Sequence, residues 1–519
     1  MCGLTVRPLK NRVQKSLIQY RGPDFTNSLE IGDYEFYFNR LAIMDTSAAG
    51  NQPFESPNFV VVCNGEIYNF RKLKQENPYP YASHSDCEVL LPLLEQETLS
   101  QVCQKLDGEF AFVAFDKKNN KLLAARDPMG IRPLFYGYTP EKKIAFASEA
   151  KALLGVCEKI HPFPPGHYFD GEQILAYAKL YENPGGKHTN LPEILENIKR
   201  FLIDGVTKRL DADVPIGFLL SGGLDSSLVC AIAKKYSDQK LVTFAIGLDH
   251  NPIDLRYAKQ MADYLGSDHH EVIFSQKDIE EILPTIVWVT ETWDITTIRA
   301  SLPMYLLCKH IKTHSNIKVL LTGEISDELF GYKYTDFAPS ALEFQKESCK
   351  RIQELYMYDV LRADRCISSN SLEARVPFSD TNFIQYVMDI DPELKLNKYN
   401  KGKYLLRKSF EGLDFMPEEI LWREKAAFSD AVGHGMVDCL QQIAEARYTD
   451  AEFAQKASQS SSPKPPSKEA LLYRELFLEK FPNQEHLIAN YWLPNQSWPN
   501  CNLQDPSARH LPNYGNSGT

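Results

Sequence analysis

At 519 residues the chain is too long for one typical domain and suits two or three, each able to bury a substantial core. A net charge of −11, with no Lys/Arg run and no basic block interleaved with aromatics, argues against a nucleic-acid partner. No apolar run is long enough to cross a bilayer, and Leu4 to Tyr20 is broken by Arg7, Lys10, Arg12 and Lys15 instead of carrying a signal-peptide core, so no membrane partner and a cytoplasmic setting are expected.

The chain begins Met1-Cys2-Gly3. Removal of Met1 would leave a thiol and a free α-amino group on one residue, a nucleophile and its own general base. The 11 cysteines are otherwise scattered and never spaced Cys-x-x-Cys, which disfavours both a disulfide framework and a zinc site. From Tyr34 to about Tyr181 the apolar runs are short and strand-like, as in Phe36-Tyr37-Phe38, Phe59 to Cys63, Phe110 to Phe115 and Leu122 to Ala125. The polar run Asp116 to Lys121 reads as a hairpin turn, and this half as packed antiparallel sheets.

A Gly/Pro/Asn-rich stretch, Glu182 to Pro192, separates a second half in which strands and helices alternate. Strand-like Val214–Leu220, Leu241–Ile246, His270–Phe274 and Ile317–Leu321 interleave with helix-like Ser226–Tyr236 and Ile253–Leu265, the grammar of a doubly wound parallel sheet. His269 and His270 read as strand neighbours pointing to opposite faces, not as ligands. From Thr335 to about Arg423 helices dominate, and Ser458 to Ser467, with three prolines, reads as a mobile surface segment. The division drawn is 1–185, 190–505 and a tail over 506–519.

Glutamine amide hydrolysis needs a nucleophile, an oxyanion site and clamps for the α-amino and α-carboxylate groups. Asn64-Gly65-Glu66 follows the strand Phe59 to Cys63, so an amide side chain and an unobstructed backbone N–H are placed at a strand's end to face an oxyanion. Arg40 could fork onto a carboxylate and Asp86 could receive an ammonium. Taken singly these are a turn, a surface ion pair and a helix N-cap.

In the second half Ser221-Gly222-Gly223-Leu224-Asp225-Ser226-Ser227 stands between a strand and a helix, where small residues let backbone N–H groups close on a pyrophosphate at a helix N-terminus. The Gly-Lys-Ser/Thr ending of a Walker A loop is missing. Thr322-Gly323-Glu324-Ile325-Ser326-Asp327-Glu328 ends another strand and could face the same crevice. Asp225 and Asp327 would then share a Mg²⁺ ion, leaving Glu324 to act on ammonia, unless the acidic cluster merely decorates a helix start.

The strings Tyr20-Arg21-Gly22-Pro23-Asp24, Arg40 to Asp45, Asn64 to Asn69 and Arg126 to Leu134, with Cys2, resemble class II N-terminal-nucleophile glutamine amidotransferases. The resemblance implies an αββα sandwich with Cys2 as nucleophile, Asn64 and Gly65 as oxyanion donors, and a glutamine pocket from Arg40, Leu41, Ala42, Ile43, Met44, Glu66 and Asp86. The Ser221–Ser227 string resembles the PP-loop of enzymes that split ATP to AMP and pyrophosphate. Thr296 to Ser301, Leu372 to Phe378, Trp422 to Asp430, Ser467 to Pro482 and Asp505 to Arg509 resemble glutamine-hydrolysing asparagine synthetases, in order and over nearly the whole chain. That family implies ATP and Mg²⁺ as cofactors and L-glutamine, L-aspartate and ATP as substrates, and is compatible with a homodimer. It implies a nucleotide site of Leu220, Ser221, Gly222, Gly223, Asp225, Ser226, Ile246, Gly247, Thr322 and Gly323. Thr296, Thr297, Arg299 and Arg375 would hold aspartate or the intermediate, and Lys425 would act on phosphate charge.

The chain departs from the family pattern in a few places. Tyr20 stands for histidine, Ile325 and Ala431 for glycine, and Gly331-Tyr332 for two glycines. A β-branched residue at positive φ would be a steric outlier, so Ile325 predicts an extended or right-handed loop, a slow synthetase and partly uncoupled glutamine hydrolysis. Two other readings stay open: a ligase on the same plan, such as a β-lactam synthetase relative, which the intact Cys2 disfavours, and a non-catalytic descendant, which the limited loss of site residues disfavours.

Overall fold

The short continuous apolar runs of the first half have their reason in two stacked sheets whose inner strands are buried on both faces. The computed structural model describes residues 1–11, 15–180, 182–249, 253–424 and 434–515. Its first half contains β1 (Gly3–Pro8), β2 (Phe25–Ile31), β3 (Tyr34–Arg40), β4 (Phe54–Glu55), β5 (Phe59–Ile67), β6 (Gly108–Asp116), β7 (Lys121–Arg126), β8 (Phe135–Tyr138), β9 (Ile144–Ala147), β10 (Ile160–Pro162), β11 (His167–Phe169) and β12 (Ile174–Ala176). They form two six-stranded sheets, β10-β8-β9-β1-β3-β2 and β12-β11-β7-β6-β5-β4. In β5, Val60 and Val62 enter the core between the sheets, while Val61 and Cys63 pack on the other face with the helices Leu90–Gln96 and Leu99–Lys105. Each such side chain is worth about 1.5–3 kcal/mol of burial, and a one-residue slip would exchange the faces.

On the opposite sheet Ile144 and Phe146 of β9 share the inter-sheet core, whereas Ala145 and Ala147 join a cluster with Ile286 and Ile298 of helices from the second half. One helical layer of the sandwich is thus local, and the other draws on the second half of the chain.

In the second half β13 (Ile216–Leu219), β14 (Val242–Leu248), β15 (Asp268–Phe274), β16 (Val319–Leu321) and β17 (Glu373–Arg375) form one parallel sheet in the order β15-β14-β13-β16-β17. The chain moves outward from β13 on one side and returns on the other, which opens a crevice at the carboxyl edge. His269 contacts Thr243 Oγ1 through Nδ1 at 2.9 Å while His270 stacks on Phe244, so the pair does face opposite ways. Two expectations change. β17 lies inside the stretch read as helical, because three residues are too few to show a period. The Ser458–Ser467 stretch is tied down: Arg474 donates to the Pro463 carbonyl and the Ser461 hydroxyl, and Pro465 is buried.

Candidate active site

β1 starts immediately after Cys2 and pairs with β3 and β9, which fixes Cys2 at the end of a central strand. The Arg21 Nε donates to the Cys2 carbonyl at 2.8 Å, and the same guanidinium pairs with Glu149 at 2.7 Å and with Asp364 of the second half at 2.9 Å. The Cys2 thiol approaches the Leu41 carbonyl at 3.7 Å. With Met1 in place the Cys2 nitrogen is an amide, and the Met1 ammonium donates to the Leu372 carbonyl at 3.1 Å. Burial lowers the pKa of that amine to about 5 and pushes the Cys2 thiol up to about 11, so the unprocessed chain disfavours the Cys2 thiolate.

Asn64 and Gly65 lie inside β5, opposite Ala111 and Phe110 of β6, and not in a turn at its end. Both polar atoms of the Asn64 side chain are buried without a hydrogen-bond partner, a cost that a bound oxyanion or amide would remove. A Cβ on Gly65 would stand 2.6 Å from the Glu109 carbonyl, so cross-strand contact itself demands glycine there. Arg40 donates to the carbonyls of Ser47 at 2.7 Å, Met44 at 3.2 Å and Asp45, and to Asn51 Oδ1 at 2.8 Å. Its donors organise the loop that carries buried Leu41, Ala42, Ile43 and Met44 instead of standing open as a fork. Asp86 does not cap its helix: its Oδ2 accepts from the Ile67 N–H at 2.7 Å, and burial raises its pKa.

Glu66 is also buried, which raises its pKa well above the usual range, against the Arg375 guanidinium 3.1 Å away. Arg375 therefore does not join Thr296 and Arg299. Its side chain spans Glu66, Glu373 at 2.9 Å and the carbonyls of Arg209 and Asp211, because alternation along β17 turns Glu373 and Arg375 toward the first half. Its carbonyl accepts from the Thr322 N–H at 3.1 Å, at the start of the loop after β16.

At the carboxyl edge of the parallel sheet lies a cavity of about 280 Å³. Leu220, Ser221 and Gly223 line it from the loop after β13, Asp225 and Ser226 from the first turn of the helix Leu224–Tyr236, and Ile246 from β14. Thr322, Gly323 and Glu324 line it from the loop after β16, Asp327 from the helix Ser326–Phe330, and Thr296 and Arg299 from the helix Ile295–His314. Besides Arg375, three expected residues are not in the lining. Gly222 has φ +69, and its Cβ would meet Tyr257 and Ala258 at 2.5 Å, so it is needed for the loop's packing on the helix Ile253–Leu265. Gly247 is a ladder residue of β14 opposite Ile273. Thr297 Oγ1 bonds Asp294 Oδ2 at 2.8 Å within the helix cap.

The largest departure in this cavity is cationic. Lys403 Nζ sits 2.6 Å from Asp225 Oδ2, 2.8 Å from Asp327 Oδ1 and 3.0 Å from Ser326 Oγ. Arg362 pairs with Glu324 at 3.1 Å, while burial raises the Glu324 pKa. Arg423 donates to the Gly222 carbonyl at 3.1 Å and pairs with Asp254 at 2.9 Å. Sequence reasoning passed over Lys403 and Arg362 because cations in a helix-rich stretch read as solvated. Asp225 and Asp327 face one cavity and already bracket a cation, so as a donor set they fit Mg²⁺ held by two carboxylates and substrate phosphates; no cluster of three or more metal-ligating side chains occurs among the described residues. Lys425 and Ala431 lie outside the described residues.

Ile325 overturns its expectation: φ is +81 and ψ −21, the left-handed region, at the entry to the helix Ser326–Phe330. The side chain is 2% exposed within the core. Its burial, about 1.5–3 kcal/mol, is of the same size as the 1–3 kcal/mol cost of the conformation, so packing can hold the strain. The loop keeps a glycine-like path, and Glu324 and Asp327 reach the cavity.

The geometry joins a two-sheet sandwich with Cys2 at a strand end to a parallel-sheet half with a charged cavity at its carboxyl edge, and comparison with known proteins assigns both halves. Residues 1–182 match the glutamine amidotransferase domain model, and 197–346 and 336–505 match the asparagine synthase model. The probable glutamine-hydrolysing asparagine synthetase of Acanthamoeba polyphaga mimivirus is 41% identical over 95% of this chain and 94% of its own length. The Dictyostelium discoideum counterpart is 39% identical over 95% and 94%, and the human asparagine synthetase 37% over 96% and 95%. The chain belongs to the glutamine-hydrolysing asparagine synthetase family.

Proposed function

We propose that this chain makes L-asparagine from L-aspartate and ATP, with ammonia drawn from L-glutamine at Cys2. At the first site the Cys2 thiolate adds to the amide carbonyl, the C–N bond breaks, and the nitrogen leaves as ammonia after taking a proton from the Cys2 ammonium. Water then cleaves the thioester to glutamate. The buried amide of Asn64 supports this reading, because the tetrahedral oxyanion would meet a donor that otherwise has none.

At the second site an oxygen of the aspartate β-carboxylate attacks the α-phosphorus of ATP, and pyrophosphate leaves. Ammonia then attacks the acyl carbon of the β-aspartyl adenylate, AMP leaves, and the nitrogen's surplus proton passes to Glu324. The N-terminus of the helix Leu224–Tyr236 and the Lys403 ammonium would bear the phosphate charge. Mg²⁺ held by Asp225 and Asp327 would supply further neutralisation of the leaving pyrophosphate. All eleven cysteines are free thiols, which suits a reducing, cytoplasmic compartment.

The single observation that carries the reading is the cavity in which the Ser221–Ser226 loop, Asp225 and Asp327 converge at the carboxyl edge of the sheet. The test is aspartate-dependent ATP–pyrophosphate exchange, with synthesis from glutamine and from ammonium salts compared in Cys2→Ala. Exchange that needs aspartate, with only the glutamine-dependent synthesis lost, supports two coupled sites. No aspartate-dependent exchange, or equal loss with both nitrogen donors, would overturn it.

A further inference from the structure

The stretch read from sequence as a tail forms part of the synthetase cavity. Pro506, Ser507, Ala508 and Leu511 line it, and Leu511 is buried in the same core cluster as the helices beneath. Asn513 and Tyr514 line an adjoining cavity of about 400 Å³ that shares Lys403 and Arg407 with the first.

This strap is held at three places far apart in sequence. Arg299 makes a two-pronged contact with Asp505, Nη1 to Oδ1 at 3.0 Å and Nη2 to Oδ2 at 2.8 Å, and Gln441 adds a bond to Oδ2 at 3.1 Å. Arg509 pairs with Asp438 at 2.9 Å, and Asn513 Nδ2 donates to the Lys333 carbonyl at 3.0 Å. Arg299 is 2% exposed, and it also grips Glu469 through Nε at 2.9 Å and Nη2 at 2.6 Å. With every prong engaged by a carboxylate of the chain, Arg299 is committed to seating the strap and is not free to fork a substrate carboxylate. Within the strap, Asp505 Oδ1 accepts from the Ser507 N–H at 2.8 Å, which sets the turn that carries Pro506 and Ala508 to the cavity.

The cavity's lining is chemically mixed. Carboxylates, Lys403, Lys333, Arg299, Arg362, Arg407 and Arg423 line the cavity together with apolar Phe244, Ala300, Met304 and Leu307, and the strap adds only apolar or neutral groups, Pro506, Ser507, Ala508 and Leu511. The strap's own lining groups carry no charge with which to select phosphate or aspartate, but they suit a flat, weakly polar ring system. We propose that Asp505–Leu511 forms a wall against which the nucleoside half of the nucleotide packs, with Asp505 a positioning residue seated by Arg299. This rests on the reading of the cavity as a nucleotide site.

The test uses the full chain, with Mg-ATP as the probe. Ala508→Trp fills the wall without touching the anchor, and Asp505→Ala releases the anchor. Each should weaken ATP binding by calorimetry tenfold or more and raise the ATP KM of pyrophosphate exchange by a similar factor. The exchange kcat should stay within about threefold, the aspartate KM unchanged, and glutamine hydrolysis within twofold of wild type as the control for folding. In wild type, saturating ATP should slow amide hydrogen exchange across 506–511. Absence of that protection, or an Ala508→Trp variant that binds ATP like wild type, overturns the proposal. If ATP protects the strap yet no aspartate-dependent exchange occurs, the wall stands and the assignment of the reaction fails.

Discussion

Lys403 and Asp327 meet at 2.8 Å in the cavity at the carboxyl edge of the parallel sheet, and the same ammonium touches Asp225 at 2.6 Å, so a cation of the chain stands between the carboxylates that would hold Mg²⁺. Burial works against this ammonium, but Asp225 and Asp327 outweigh it and raise its pKa, which keeps Lys403 charged at any physiological pH. A divalent ion must therefore take its ligands from the lysine. Lys403→Met should bind Mn²⁺, read by electron paramagnetic resonance without nucleotide, about tenfold more tightly, the equivalent of about 1.4 kcal/mol. Pyrophosphate exchange should fall at the same time, because a phosphate-facing charge is gone. Unchanged Mn²⁺ affinity would mean the lysine and the metal do not compete.

Asn64→Ala should lower glutaminase turnover by about 10²–10³-fold, the usual cost of one preorganised oxyanion donor, with a much smaller change in glutamine KM. Steady-state hydrolysis of glutamine decides it. A large KM change at unaltered turnover would make Asn64 a ground-state binder.

Ile325→Gly sets two opposing effects against each other. Glycine removes a strain of about 1–3 kcal/mol at φ +81 but also a buried side chain worth about 1.5–3 kcal/mol. Net stability should move little, within about 2 kcal/mol by chemical denaturation. The loop already follows a glycine-like path, so the ratio of glutamate to asparagine should be close to one in wild type and unchanged in the variant. A high wild-type ratio corrected by the glycine would show that the side chain hinders closure.

Lys395 is buried with its ammonium on Gln345 Oε1 at 2.6 Å and no carboxylate in contact among its hydrogen bonds, and burial lowers its pKa to about 7. The unfolded chain titrates near 10.4, so between those values it holds a proton that the folded chain lacks. The penalty is complete below pH 7 and is relieved as the pH rises toward 10. Wild-type stability should therefore climb from pH 7 to 9 by up to about 1.4 kcal/mol per pH unit from this group, and Lys395→Met should flatten that climb. Parallel slopes in denaturant titrations of the two proteins would sink the assignment.

The local patterns were legible because their causes are local. The strands β5, β6 and β7, the hairpin between β6 and β7, the helices Leu224–Tyr236 and Ile253–Leu265 and the small-residue loop before the former each follow from a side-chain period or a turn chemistry contained in about ten residues. Cys2, Asn64, Asp225 and Asp327 were singled out in this way, as members of strings whose spacing is a property of one loop or one strand end.

What only the tertiary structure decided are the partners. Lys403 reaches Asp225 across 178 residues of chain and Arg299 reaches Asp505 across 206, and no periodicity spans such distances. Arg375 was assigned to the wrong neighbours because the face it presents depends on β17, whose three residues carry no signal of their own. Ile325 was assigned the wrong backbone because its intrinsic preference, a few kcal/mol at most, was read without the core that buries it. Local preference selects an element when nothing opposes it, whereas desolvation of buried charges and packing of buried side chains are interactions of similar or greater size that exist only once the chain has brought distant residues together.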